Sequence, residues 1–218
     1  MDANNISRVP DIAQLAQYDV NRTNQYEGIG SSLYDYTSYA AAGQTELSFF
    51  QTPSGSGTKT LSDTNMELAG SLPSPKQFLV TSLEVKFWPG VDVAAFGAQD
   101  AADYLNDVAA VAKSGYLELF VGSKNYIQEG PIGDFPSMNG LVVQAALTDV
   151  TTAAAASQSR IAYGNFGGKP YVLASPIRLM PTQNFKVSLK WPTAVALPSG
   201  AIGRIGVKLR GFLYRLSQ

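Results

Sequence analysis

Apolar residues recur at every second position in four stretches of the chain, and each stretch predicts a strand with one buried face. From Asn184 to Trp191 the alternation is unbroken. Phe185, Val187, Leu189 and Trp191 face one way, and Asn184, Lys186, Ser188 and Lys190 the other. Ile202 to Arg215 sets Ile205, Val207, Leu209 and Leu213 opposite Arg204, Lys208, Arg210, Phe212 and Tyr214. Gln77 to Trp88 puts Leu79, Leu83, Val85 and Phe87 on one face, with Thr81 the exception, and Pro89-Gly90 stops it. Tyr116 to Val121 points Leu117, Leu119 and Val121 inward. Shorter extended pieces, limited by turn residues and prolines, are expected at 46–50, 169–176 and 177–180.

The period changes once. Over 92–113, Phe96, Leu105, Val108, Ala109 and Ala112 are helix-spaced, with Asp100, Asp103 and Asp107 opposite, and Ser114-Gly115 ends the pattern. The three aspartates predict a solvated face, because they lack the loop spacing and glycine of a calcium-binding loop. Residues 122–136 are dense in turn residues and read as an irregular connector. The Ala-rich stretch 141–157 fits either a short helix or a loop with a strand.

Residues 1–43 mix Asn, Gln, Tyr and Ser with scattered apolar side chains. They read as an N-terminal arm whose Tyr34, Tyr36 and Tyr39 offer inter-subunit contact surface; a first strand and loop of the same domain is the competing reading. Short strands, one inserted helix and no βαβ rhythm argue for an all-β antiparallel β-sandwich. A single jelly roll fits best, because its eight strands in two Greek keys tolerate a helix in a connection. The expected organisation is an arm at 1–43 and one jelly-roll domain at 44–218.

Composition narrows the chemistry. The 218 residues include no histidine and no cysteine, which removes Ser-His-Asp and Cys-His nucleophiles, Cys/His zinc sites and disulfides. Gly-Asn-Phe-Gly-Gly-Lys at 164–169 has the wrong spacing for a phosphate loop and reads as a turn. No apolar run approaches the ~20 residues of a membrane span, so no transmembrane segment is expected. No catalytic, cofactor-binding or metal-ligating residue stands out, and neither an enzyme nor a cofactor is expected. Only 15% of residues are charged, against about 25% in ordinary soluble domains, which suggests an exterior covered by neighbours.

The charges are also unevenly placed. Asp149 is the last of the 17 acidic residues, and nine of the 16 basic ones follow it. The first 149 residues therefore sum to −10 and the remainder to +9. Faces of opposite sign would favour contact with further copies or with a polyanion; strands from both parts interleaved in one sheet would instead mix the charges. If the last two strands pair, Lys186, Lys190, Arg204, Lys208 and Arg210 form one basic face beside aromatics, able to hold genome phosphates or lipid headgroups non-specifically.

The run Leu119-Phe-Val-Gly-Ser-Lys-Asn-Tyr126, Gly130-Pro-Ile-Gly-Asp-Phe-Pro136, Pro181-Thr-Gln-Asn-Phe-Lys-Val-Ser-Leu-Lys-Trp-Pro192 and Gly206-Val-Lys-Leu-Arg-Gly-Phe-Leu-Tyr-Arg215 carry a resemblance in strand order and texture. Over the second half of the chain, they resemble jelly-roll capsid proteins of tailless icosahedral bacteriophages. The resemblance implies a virion shell subunit made in the host cytoplasm, assembled with copies of itself and other capsid proteins around a genome or an internal membrane. It supplies no catalytic residues. A carbohydrate-binding, lectin-like sandwich using Tyr and Trp platforms on a host-recognition structure is the alternative.

Overall fold

The computed structural model describes residues 26–90, 98–136, 141–148, 158–165 and 169–216. Among them are ten strands: β1 (Tyr26–Tyr39), β2 (Glu46–Phe49), β3 (Gln77–Trp88), β4 (Tyr116–Val121), β5 (Lys124–Glu129), β6 (Leu141–Thr148), β7 (Gln158–Asn165), β8 (Tyr171–Leu179), β9 (Phe185–Lys190) and β10 (Gly203–Leu216). One α-helix, α1 (Ala98–Ser114), lies between β3 and β4. Among the described residues no helix is long and apolar enough to cross a membrane.

The strands form two four-stranded antiparallel sheets and a separate hairpin. The first sheet runs β1-β10-β3-β8, the second β2-β9-β4-β5, and β6 pairs with β7 alone. The protein is an all-β sandwich. Within it β1 pairs with β10, β2 with β9, β3 with β8 and β4 with β5, a nested order in which the chain folds back along itself.

The alternating faces meet between the sheets, as period-2 patterning requires. Leu33, Phe78, Val80, Leu83, Val85, Ile205, Val207 and Leu209 of the first sheet share one core with Phe49, Leu117, Leu119, Val121, Phe185, Val187 and Leu189 of the second. The inward sets expected for β4 and β9 are buried, as are Ile205, Val207 and Leu209 of β10; Leu213 is only half-buried, whereas Phe212 and Tyr214, expected on the other face, are buried there.

β3 departs from expectation at Thr81. The ladder to β8 shifts between Val80 and Ser82, and the ladder to β10 shifts between Arg210 and Gly211. This extra residue reverses which face each neighbour occupies. Phe78 and Val80 therefore join the main core, while Leu79, expected beside Leu83, joins Phe212 and Tyr214 in a separate buried cluster on the opposite face. Only glycine fits at 211, because a Cβ there would lie 1.8 Å from the Leu79 carbonyl oxygen.

Other expectations also change. Residues 26–39, read as part of an arm, are an edge strand paired with β10 from Tyr26↔Leu216 to Tyr39↔Gly203; residues 1–25 lie outside the described ones. The connector at 122–136 contains β5, held by buried Ile127. The Ala-rich stretch contributes β6, and 149–157 lies outside the described residues. Of the expected helix, 92–97, including Phe96, lies outside them too. Asp107, expected on a solvated face, is fully buried: its carboxylate accepts the Ser199 amide (3.0 Å) and hydroxyl (2.5 Å). Val111, one turn on, is buried beside it, and its carbonyl accepts the Trp191 indole N–H at 3.1 Å.

Candidate functional site: the outer face of the first sheet

The expected five-cation face does not assemble, because β9 and β10 belong to different sheets. Consecutive strands joined by a long loop (here 191–202) are free to cross from one sheet to the other. Lys186 and Lys190 project from the outer side of the second sheet. Lys186 lies 5.2 Å from the Phe120 ring centroid, and Lys190 pairs with buried Glu118 at 2.6 Å. That bond holds the Lys190 ammonium above the usual lysine range.

The other three cations share the outer face of the first sheet, where the register gives them new neighbours. Arg204 stands across from Trp88 on β3, Gly206 from Lys86, Lys208 from Glu84 and Arg210 from Ser82. On the other side of β10, Tyr36 faces Gly206 and Tyr34 faces Lys208. Glycine at 206 lets the Tyr36 ring lie down on the strand, since a Cβ there would sit 1.7 Å from a ring carbon.

A compact row of rings and cations results. Tyr34 and Tyr36 have ring centroids 5.9 Å apart, and Tyr36 and Trp88 5.2 Å. Arg204 lies 5.1 Å from Tyr36 and 5.6 Å from Trp88, while the Lys86 ammonium stands 4.4 Å over Trp88. Such contacts favour a cation over a ring face. Arg204 is fixed from behind by the Ser62 carbonyl (2.8 Å) and the Asp63 carboxylate (2.9 Å). Hydrogen bonds from the Thr60 amide and hydroxyl hold Asp63 below the usual carboxylate range. Arg210 pairs with buried Glu84.

Among the described residues neither Lys86 nor Lys208 has an ion-pair partner. Burial, and then the nearby Lys208 charge, pulls the Lys86 ammonium below the ordinary lysine range. Burial likewise raises the Tyr36 phenol, against the pull of Arg204. The face can therefore hold an anion or stack a planar group beside two uncompensated cations. Lys86 and Trp88 were the members that sequence reasoning missed; both lie on the outward side of β3, two residues apart, which is the signal that marks them.

The three tyrosines proposed for an arm are engaged within the fold. Tyr39 is fully buried, edge-on to Trp191 and Phe87, with its hydroxyl on the Val195 carbonyl at 2.8 Å. Tyr34 donates to the Leu61 carbonyl at 2.5 Å.

The division of charge along the chain disappears in space. Four ion pairs join an acid from the first 149 residues to a base from the remainder: Arg204–Asp63, Arg210–Glu84, Lys190–Glu118 and Arg215–Glu27. Because β10 lies between β1 and β3, and β9 between β2 and β4, basic strands alternate with acidic ones. The opposed faces expected from the sequence give way to internal compensation.

No family model, no curated protein and no solved structure matches this chain.

Proposed function

We propose that this chain is a single jelly-roll subunit of a virion shell, assembling in many copies with itself and other capsid proteins around a genome or an internal membrane. The observation that carries the reading is the nested strand order. With the β6–β7 hairpin set aside, eight strands remain, and they pair first with eighth, second with seventh, third with sixth and fourth with fifth. One long hairpin rolled into two sheets has this order, and it is how a jelly roll is built. The helix and the additional hairpin fall in the β3–β4 and β5–β8 connections, outside both sheets.

Jelly rolls also serve as lectins and cupins, so the fold alone does not choose among them. The absence of histidine argues against a cupin-type metal site. The low charged fraction favours a surface meant to be covered by neighbours. A glycan-binding reading draws on the Tyr34–Tyr36–Trp88 row, but Lys86 and Arg204 already stand over those rings. Rate-zonal sedimentation of the expressed chain, with negative-stain microscopy of the heavy fractions, tests the shell reading. Closed particles, rings or sheets are expected. Monomer alone at high concentration, together with specific binding on a glycan array, would overturn it in favour of the alternative.

A further inference from the structure

Among the described residues the outer edge of β1 is closed along half its length only. The 59–65 loop covers the upper part. Tyr34 N–H donates to the Asn65 side chain (2.9 Å), the Asn65 amide donates to the Ser32 carbonyl (2.8 Å), and Tyr36 N–H donates to the Asp63 carbonyl (2.7 Å). The Lys59 ammonium bonds the Tyr36 carbonyl. All these edge groups belong to even-numbered residues, as strand alternation requires. By the same alternation Gly28 and Gly30 turn their N–H and C=O groups to the edge, and among the described residues no hydrogen bond reaches them there.

Among the described residues nothing blunts this lower segment. Ile29, Gly30 and Ser31 are exposed, the register to β10 carries no bulge, and the one charge, Glu27, is engaged by Arg215 at 2.5 Å. Proteins usually protect such an edge with charge, proline or a bulge. Glycine at 30 also has no reason inside the fold. A Cβ at 30 would meet nothing within 4 Å, whereas one at 206 or 211 would collide at under 2 Å. Glycine weakens a strand, and where it persists it often marks the close approach of another backbone.

We infer that the Gly28–Gly30 edge of β1 pairs antiparallel with the same edge of a second copy, about a two-fold axis at Ile29, joining two four-stranded sheets into one of eight strands. Gly28 stands opposite the partner's Gly30 and Gly30 opposite the partner's Gly28, so both glycines exchange both of their hydrogen bonds. The two Ile29 side chains become a non-hydrogen-bonded pair with Cα atoms about 4.5 Å apart, which covers an otherwise exposed residue. Sliding the register to set Gly28 against the partner's Ser32 fails, because Asn65 already holds that carbonyl. The contact is self-complementary, as a two-fold interface must be. It rests on the assembly reading and names one contact within it.

The chain's lack of cysteine gives a clean test. In Ile29→Cys the two thiols meet at a separation within the disulfide range, so mild oxidation of the full chain, where it associates, yields a covalent dimer. Ser31→Cys is four residues out of register with its own copy, about 14 Å away, and stays uncrosslinked. Ile29→Lys sets two charges face to face and weakens association by at least about tenfold in light scattering, with its melting temperature unchanged in dilute solution. Equal crosslinking at 29 and 31, none at 29, or an unchanged mass for Ile29→Lys would overturn the contact. Particles that form normally from Ile29→Lys also overturn it and leave the shell reading standing; a wild-type chain that never associates overturns both.

Discussion

Asp35 is a charged residue on the inward side of β1, and removing it has a calculable effect. The residue is 2% exposed, and its carboxylate accepts the Phe50 amide at 2.6 Å and the Lys59 ammonium at 2.7 Å. Burial outweighs both bonds and raises its pKa above the usual carboxylate range. Asp35→Ala leaves the fully buried Phe50 amide without an acceptor, a loss of about 1–3 kcal/mol. Lys59 is partly exposed and keeps the Tyr36 carbonyl, so its share is discounted to under ~1 kcal/mol. The expected total is roughly 1–4 kcal/mol. Asp35→Asn keeps an acceptor for Phe50 and removes a buried charge, so it stays within about 1 kcal/mol of wild type.

Guanidinium denaturation followed by the fluorescence of Trp88 and Trp191 measures these differences. The pH dependence follows from the raised pKa: the fold binds this proton more tightly than the unfolded chain does. Asp35 therefore contributes most below its unfolded pKa, and that contribution is lost as pH rises through the folded value. Wild type gains on Asp35→Asn as pH falls from neutrality into the carboxylate range. A cost below about 0.5 kcal/mol for Asp35→Ala, Asn as damaging as Ala, or a gap moving the other way with pH would refute the reasoning.

Two further substitutions probe the first sheet. Gly211→Ala drives a methyl into the Leu79 carbonyl and lowers stability by about 2–3 kcal/mol, whereas Gly30→Ala, in open space, raises it by up to ~1 kcal/mol; denaturation midpoints separate the two, and equal effects would contradict the packing described. Lys208→Met removes one of the two causes that depress Lys86. A depressed lysine contributes stability above its unfolded pKa and loses it as pH falls through the folded one, so melting temperatures of Lys208→Met rise less steeply across the alkaline lysine range than those of wild type.

Much of the sandwich is legible in the sequence because β4, β9 and the first half of β10 alternate cleanly and their inward residues are buried; beyond Arg210 the burial shifts to the outward Phe212 and Tyr214. β1 is not, because its inward positions include Asp35, a buried charge that hydropathy counts as solvent-facing. β5 hides for a similar reason: among its described side chains only Ile127 is buried, while Tyr126 stays outside. Leu79 is misplaced because one bulge at Thr81 reverses the face of every earlier residue. The basic face fails on topology. Alternation within β9 and β10 is read correctly, but nothing local in either strand says that the loop between them changes sheets. Three of its five cations nevertheless share one face, since Arg204, Lys208 and Arg210 already lie on one side of β10, and Arg204 meets Tyr36 and Trp88 there.

Under the proposed pairing, the strand edge open between Gly28 and Gly30 is where a second copy would extend the first sheet. Residue-resolved amide exchange, run in dilute and concentrated protein, examines it directly, with Tyr34 and Tyr36 as internal references. The Gly28 and Gly30 amides should exchange freely in the dilute chain and slow by at least about tenfold on association, while Tyr34 and Tyr36 remain slow throughout. Fast exchange at both glycines in the assembled protein, or protection already present in the isolated chain, would contradict the account.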